Sequence, residues 1–166
     1  MSLTADQVVA EIPGLHRYAL ALTRDADRAQ DLVQDTVVRA LERSDQFRGE
    51  SSPATWLHRV MYHHFVDDVR RRTPDPVDDE RLAEAVEDAW RDDAYTVDAQ
   101  VVLERAETRE ELYDALVRLP VDYRSAVVLH DVEGLTAASV ADVQQVSLPA
   151  AKQRIRRGRT MLVSAL

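Results

Sequence analysis

Between Thr73 and Asp98 the chain carries ten acidic residues against two arginines, and the stretch opens on Thr73-Pro74-Asp75-Pro76. Proline has no amide donor and pushes the residue before it out of the helical region, so this opening forbids a continuous helix and favours an extended path. The span sums to −8, while the remaining 20 acids and 19 bases nearly cancel. Almost all of the overall −9 charge therefore lies in one central segment, which resists packing into a core. Residues 74–97 read as an acidic linker, with a short helix expected around Arg81–Trp90. The 166-residue chain is thereby divided into two small domains, 1–73 and 98–166.

Both parts have the means to fold, since 45% of the residues are apolar and 31% charged. There is no cysteine, which excludes disulfides, thiolate zinc sites and cysteine nucleophiles. The four glycines, Gly14, Gly49, Gly134 and Gly158, are too scattered for a phosphate-cradling loop. No run approaches the roughly 18 apolar residues of a membrane span, and the first residues lack the layout of a secretory signal. The expectation is a cytoplasmic protein without membrane insertion.

Strand signals are poor, with few β-branched alternations and no Asn-Gly or Asp-Gly turn. Helical period is strong. After Asp25, a suitable N-cap, the residues Ala29, Leu32, Val33, Val37, Ala40 and Leu41 recur at three- and four-residue steps. Pro53 suits the first turn of a second helix with Leu57, Val60, Met61, Phe65 and Val69 inward. Pro120 starts a third after the periodic run Val102–Val117. The fold class is all-α, in two helical bundles.

Residues 120–166 read as helix, then helix, turn, helix. Thr136 caps a helix through about Val143, Gln144–Ser147 supply the turn, and Pro149 opens a last helix to about Ser164. On a helical wheel that helix buries Ala151, Ile155, Gly158 and Leu162. Gln153, Arg156 and Arg157 point the other way, flanked by Lys152, Arg154 and Arg159. A packed supporting helix with an outer face of Arg, Lys and Gln is what a helix-turn-helix needs to reach phosphates and base edges. The bland alternative is a basic, solvated terminal helix.

The helix after Asp25 presents Asp31, Gln34, Asp35 and Val38 together, a valine among acids and amides that suits docking on another protein. A solvated face would tolerate the single valine equally. The helix from Pro53 presents Thr55, Arg59, Tyr62, His63, Val66 and Arg70. Arginines interleaved with rings suit single-stranded nucleic acid, because bases stack while guanidinium groups hold phosphate. Trp56 and Phe65 read as core. The loop Phe47-Arg48-Gly49-Glu50-Ser51-Ser52 leads into that face and is polar enough to shape itself around an extruded base. His63/Asp67 and His64/Asp68 stand at i,i+4 but lack a third ligand within helical reach, so no metal site is assigned. No nucleophile–base arrangement can be argued, and neither catalysis nor a cofactor is expected.

These residues resemble a known family. Asp31-Leu32-Val33-Gln34-Asp35-Thr36, Phe47-Arg48-Gly49, Thr55-Trp56-Leu57 and Asp67-Asp68-Val69-Arg70-Arg71 are similar to region 2 of the sigma-70 family. Leu119-Pro120, Tyr123-Arg124, Glu133-Gly134-Leu135 and the run Lys152–Arg159 are similar to its region 4. Two regions with only a connector between them resemble the extracytoplasmic-function sigma factors. The resemblance implies that the chain binds core RNA polymerase, through its clamp helices and flap, and directs it to promoter DNA. It implies docking on the clamp helices through Asp31, Leu32, Gln34, Asp35, Val38 and Arg39. It implies melting and reading of the −10 element by Phe47, Arg48, Ser51, Ser52, Thr55, Arg59, Tyr62, His63 and Arg70. Reading of the −35 element would fall to Thr136, Lys152, Gln153, Arg154, Arg156, Arg157 and Arg159. Many family members are held by an anti-sigma factor, a further partner class the resemblance implies. In the family the connector threads through channels that otherwise hold nucleic acid, which a −8 segment suits electrostatically.

The sequence departs from the family pattern at His63, where asparagine is frequent, at Gln145, where glycine is frequent, and at Pro149-Ala150-Ala151. Two rival functions fit the residues taken alone. One is a helix-turn-helix regulator binding duplex operator without polymerase; the other is a helical adaptor that binds only proteins.

Overall fold

A computed structural model describes residues 2–72 and 99–166. The acidic linker, with the helix expected at Arg81–Trp90, lies outside the described residues. Every described regular element is helical, and most begin at a side-chain cap. Thr4 and Gln7 form a reciprocal capping box at the start of α1 (Ala5–Thr23). Asp25 caps α2 (Ala26–Glu42) by accepting from the Arg28 amide. After a short 3-10 turn at Ser44–Gln46, Ser52 Oγ accepts the Thr55 amide and Pro53 opens α3 (Pro53–Arg72).

The periodic run Val102–Val117 does not form one helix. Thr108 turns its hydroxyl onto the Glu111 amide at 3.1 Å and starts a new one, so the run divides into α4 (Ala99–Arg105) and α5 (Arg109–Leu116). A cap inside an apolar period competes with helix continuation, and here it wins. Pro120 precedes α6 (Val121–Val127), which continues into a π-helical turn at Val128–Val132. Thr136 and Ser147 cap α7 (Ala137–Gln144) and α8 (Leu148–Ala165).

The wheel expected for the last helix holds, with Ala151, Ile155, Gly158 and Leu162 all buried. Gly158 is required by close approach, because a Cβ there would lie 2.5 Å from Val127 Cγ2 and 3.0 Å from the Tyr123 carbonyl oxygen. In α2 the inward set is Ala29, Leu32, Val33 and Ala40, but Leu41 is exposed, because the stripe drifts around the helix past Ala40.

The two bundles lie against each other. α1 packs on α6, α3 packs on α7, and the buried apolar residues of both join in one core. The buried Arg124 guanidinium donates to the Leu22 carbonyl of the first bundle at 2.7 Å and to those of Val117 and Leu119 in the second. Tyr18 and Ser125 share a buried 2.6 Å hydrogen bond across the same seam. Burial pushes the Tyr18 phenol up, so it stays neutral there.

Candidate nucleic-acid interface

On α2, Asp31, Gln34, Asp35 and Val38 are exposed along one face, and Val38 keeps 55% of its surface in solvent. Arg39 is half-buried beside them. Leu32 does not share the face: it is 7% exposed and belongs to the core, as its place in the apolar period requires. Asp35 accepts from His64 Nε2 of α3 at 3.3 Å, tying this face of α2 to the next helix.

The C-terminal half of α2, the loop 47–52 and α3 enclose an open polar cleft of about 750 Å³. Arg39, Arg43, Arg48, Arg59, His63 and His64 line it, with Glu50, Asp67 and Asp142 as its acids. Arg43, His64 and Trp56 were not among the expected DNA residues. Arg43 was legible as the i+4 neighbour of Arg39, and Trp56 is only half-buried, with one flank open to the cleft.

Three expected DNA-facing side chains are inside instead. Phe47 is 3% exposed and packs edge-to-face on Trp56, with ring centroids 5.8 Å apart. Thr55 is 2% exposed, its backbone amide and hydroxyl both bonded to Ser52 at the start of α3. Tyr62 is 6% exposed and donates to Asp122 of α6. In each case burial follows from packing the sequence could not show, since Tyr62 faces the second bundle rather than solvent. Burial, and next the Asp122 carboxylate, push the Tyr62 phenol up. Arg48, Ser52 and Arg70 are exposed, and Ser51, Arg59 and His63 are half-buried. Arg59 pairs with Asp142 of α7 at 3.1 Å. Burial, and then the neighbouring Arg59 cation, lower the His63 imidazole from its ordinary value, favouring a neutral ring.

In the helix-turn-helix, Thr136 Oγ1 accepts from the Ser139 amide, so it first serves as the cap of α7. The turn holds Gln145 in the left-handed region at φ 56°. On α8, Lys152 is exposed, while Gln153, Arg154, Arg156, Arg157 and Arg159 are half-buried. Arg159 lies in a fork with Asp131, its Nε 2.7 Å from Oδ2. Arg154 donates to Gln144 Oε1 at 3.0 Å and sits 3.6 Å from the Asp122 carboxylate. Among the described residues no group of three or more metal-ligating side chains occurs, and no helix is long and apolar enough to cross a membrane.

Comparison with known proteins agrees with this layout. The family model Sigma-70 region 2 matches residues 8–74, and Sigma-70, region 4 matches residues 109–162. The ECF RNA polymerase sigma factor EcfG of Rhodopseudomonas palustris is 32% identical over 97% of this chain and 83% of its own length. The ECF RNA polymerase sigma factor SigM of Mycobacterium tuberculosis is 32% identical over 92% of this chain and 71% of its own. Among solved structures, the sigma factor RpoE of Bartonella quintana, in complex with the anti-sigma factor NepR, has the same fold. Its TM-score is 0.71 at 24% identity, covering 96% of this chain and 94% of that one.

Proposed function

The chain belongs to the sigma-70 family as an extracytoplasmic-function RNA polymerase sigma factor, and from that premise we propose how its parts divide the work. The protein directs RNA polymerase to promoters at transcription initiation, and it does so by binding rather than by catalysis. Residues 1–73 form the region 2 domain, 74–97 the acidic linker and 98–166 the region 4 domain. The exposed face of Asp31, Gln34, Asp35 and Val38, with Arg39 at its edge, docks on the polymerase clamp helices. Leu32 contributes from the core by holding that face in place. The region 4 domain engages the flap.

The −10 element is held in the cleft of Arg39, Arg43, Arg48, Arg59, His63 and His64. Four guanidinium groups around a half-buried tryptophan are the observation that carries this reading, because they pair phosphate charge with a ring on which a base can stack. Ser51, Ser52 and Arg70 line its approaches; Phe47, Thr55 and Tyr62 act behind it as support. The −35 element is read by α8 through Lys152, Gln153, Arg154, Arg156, Arg157 and Arg159, with Thr136 fixing the supporting helix.

A chain of net charge −9 with one basic helix binds free duplex weakly and with steep salt dependence. Polymerase supplies the missing affinity by tethering both domains to one promoter. An anti-sigma factor covering the polymerase-binding faces is a further partner, and the cytoplasm, where polymerase works, is the compartment. A gel shift with and without core polymerase tests the reading. Promoter binding only with polymerase supports it; binding of duplex by the free chain identifies a regulator, and no DNA binding in either lane an adaptor.

A further inference from the structure

Of the 21 basic residues in this chain, 20 are arginine and one is lysine. That one, Lys152, lies in the second turn of α8, the helix to which the preceding reading assigns the −35 element. A guanidinium meets phosphate or guanine with two parallel donors, a fit an ammonium cannot match. Reading DNA would by itself favour arginine at this position, as at Arg154, Arg156, Arg157 and Arg159.

The structure also sets Lys152 apart from those neighbours. Arg154 donates to Gln144 at 3.0 Å, Arg159 is forked onto Asp131, and Arg156 and Arg157 are half-buried. Lys152 is exposed, and its ammonium takes no ion pair or hydrogen bond among the described residues. What an amine offers and a guanidinium does not is nucleophilicity. A lysine that sheds its proton can be acylated, whereas an arginine stays charged.

We propose that Lys152 is an acylation site, the one side-chain amine through which an acyl phosphate turns off reading of the −35 element. The proposal rests on the −35 assignment above. The amine, deprotonated by solvent, attacks the acyl carbon and forms a C–N bond. The bond from that carbon to the bridging oxygen breaks, and inorganic phosphate leaves with the electron pair and the second proton. The product is a neutral amide, so one cation disappears from the face assigned to DNA. The basic helix selects the donor by charge. Arg156 follows one turn after Lys152, with Arg154 and Arg157 beside it, and their field gathers a small, doubly negative reagent.

The test treats the full chain with acetyl phosphate and locates the product by mass spectrometry. A companion chain, Lys152→Arg with Gln30→Lys, moves the amine to an exposed position on α2 near Asp27 and Asp31. Acetylation of Lys152 should run about tenfold faster than that of the moved lysine at low salt. The difference should shrink at about 1 M salt, where the field is screened within a few ångströms. Holoenzyme carrying the acetylated chain should keep core binding and lose about tenfold in transcription from a −35-dependent promoter. Its slope of log affinity against log salt on duplex DNA should fall by about 1. Lys152→Arg, compared with its own baseline, should be insensitive to the same treatment. Protein isolated from its native cells at several growth stages should carry an acyl group on Lys152 in a measurable fraction.

Equal acetylation rates at the two positions overturn the proposal, as does unchanged transcription after acetylation or the absence of acylated Lys152 from native protein at every stage. Holoenzyme carrying Arg156→Ala separates the two readings. If that variant loses −35-dependent transcription while acetylation has no effect, the −35 assignment stands alone. If the variant loses nothing, the assignment fails and the proposal with it.

Discussion

Glu133 reaches across the seam to Arg17, 116 residues away in sequence, and the two side chains meet in a fork of 3.0 and 3.2 Å over the bare backbone of Gly14. A Cβ on Gly14 would stand 2.7 Å from Glu133 Oε2. Gly14→Ala should therefore displace the carboxylate, while gaining about 1 kcal/mol of helix propensity within α1. We expect urea stability to change by no more than about 1 kcal/mol and the distance between bundles to lengthen. Lengthening without a matching loss of stability identifies the pair as a contact of the seam rather than of the core.

Gly158→Ala should behave oppositely. Its Cβ would meet a valine methyl at 2.5 Å and a carbonyl oxygen at 3.0 Å, and α6 cannot yield without moving its backbone. Overpacking of this kind costs about 1–3 kcal/mol. The denaturation midpoint should fall, and transcription from −35-dependent promoters with it.

Gln145→Gly should stabilise the chain. The left-handed conformation at φ 56° costs a side-chain-bearing residue about 1–2 kcal/mol that glycine avoids, less the entropy glycine loses on folding. Gln145 is exposed and caps α7 through its backbone, so little else is lost. A gain of about 0.5–1 kcal/mol in thermal or urea unfolding is expected.

His58 makes stability depend on pH. It lies 1% exposed, its Nδ1–H donates to the Ala54 carbonyl at 2.6 Å, and its Nε2 sits 3.9 Å from Glu133. Burial outweighs the nearby carboxylates and lowers the imidazole from its ordinary value of 6.5. The folded state thus binds fewer protons than the unfolded one. Its contribution is present above pH 6.5 and is lost as pH falls towards the lowered folded value. Urea midpoints at pH 7.5 and 5.5 should differ less in His58→Gln than in the parent chain.

The division of labour predicts opposite losses on the two modules. Gln34→Ala with Asp35→Ala should weaken pull-down of core polymerase about tenfold without altering promoter choice. Arg156→Ala or Arg157→Ala should keep core binding and reduce transcription from −35-dependent promoters about tenfold. Loss of core binding in the arginine variants would contradict the assignment.

What the sequence determined by itself is local. Asp25, Thr136 and the prolines at 53 and 149 announce helix starts because capping acts within one turn. The buried stripe of α8 follows from a period of 3.6 residues. The order of the motifs identified the family for the same reason, since each lies within a single helix or loop. Tertiary structure alone decided which outer faces remain outside. Leu32, Phe47, Thr55 and Tyr62 were expected at binding surfaces and are buried, three of them by neighbours close in the first bundle and Tyr62 by the second. Among 30 acids and 21 bases, nothing short of the folded chain selects Asp122 for Tyr62 and Arg154, Asp142 for Arg59, or Glu133 for Arg17. Charge pairing across a hundred residues has no periodicity to read, because its partners are chosen by the packing of helices rather than by the helices themselves.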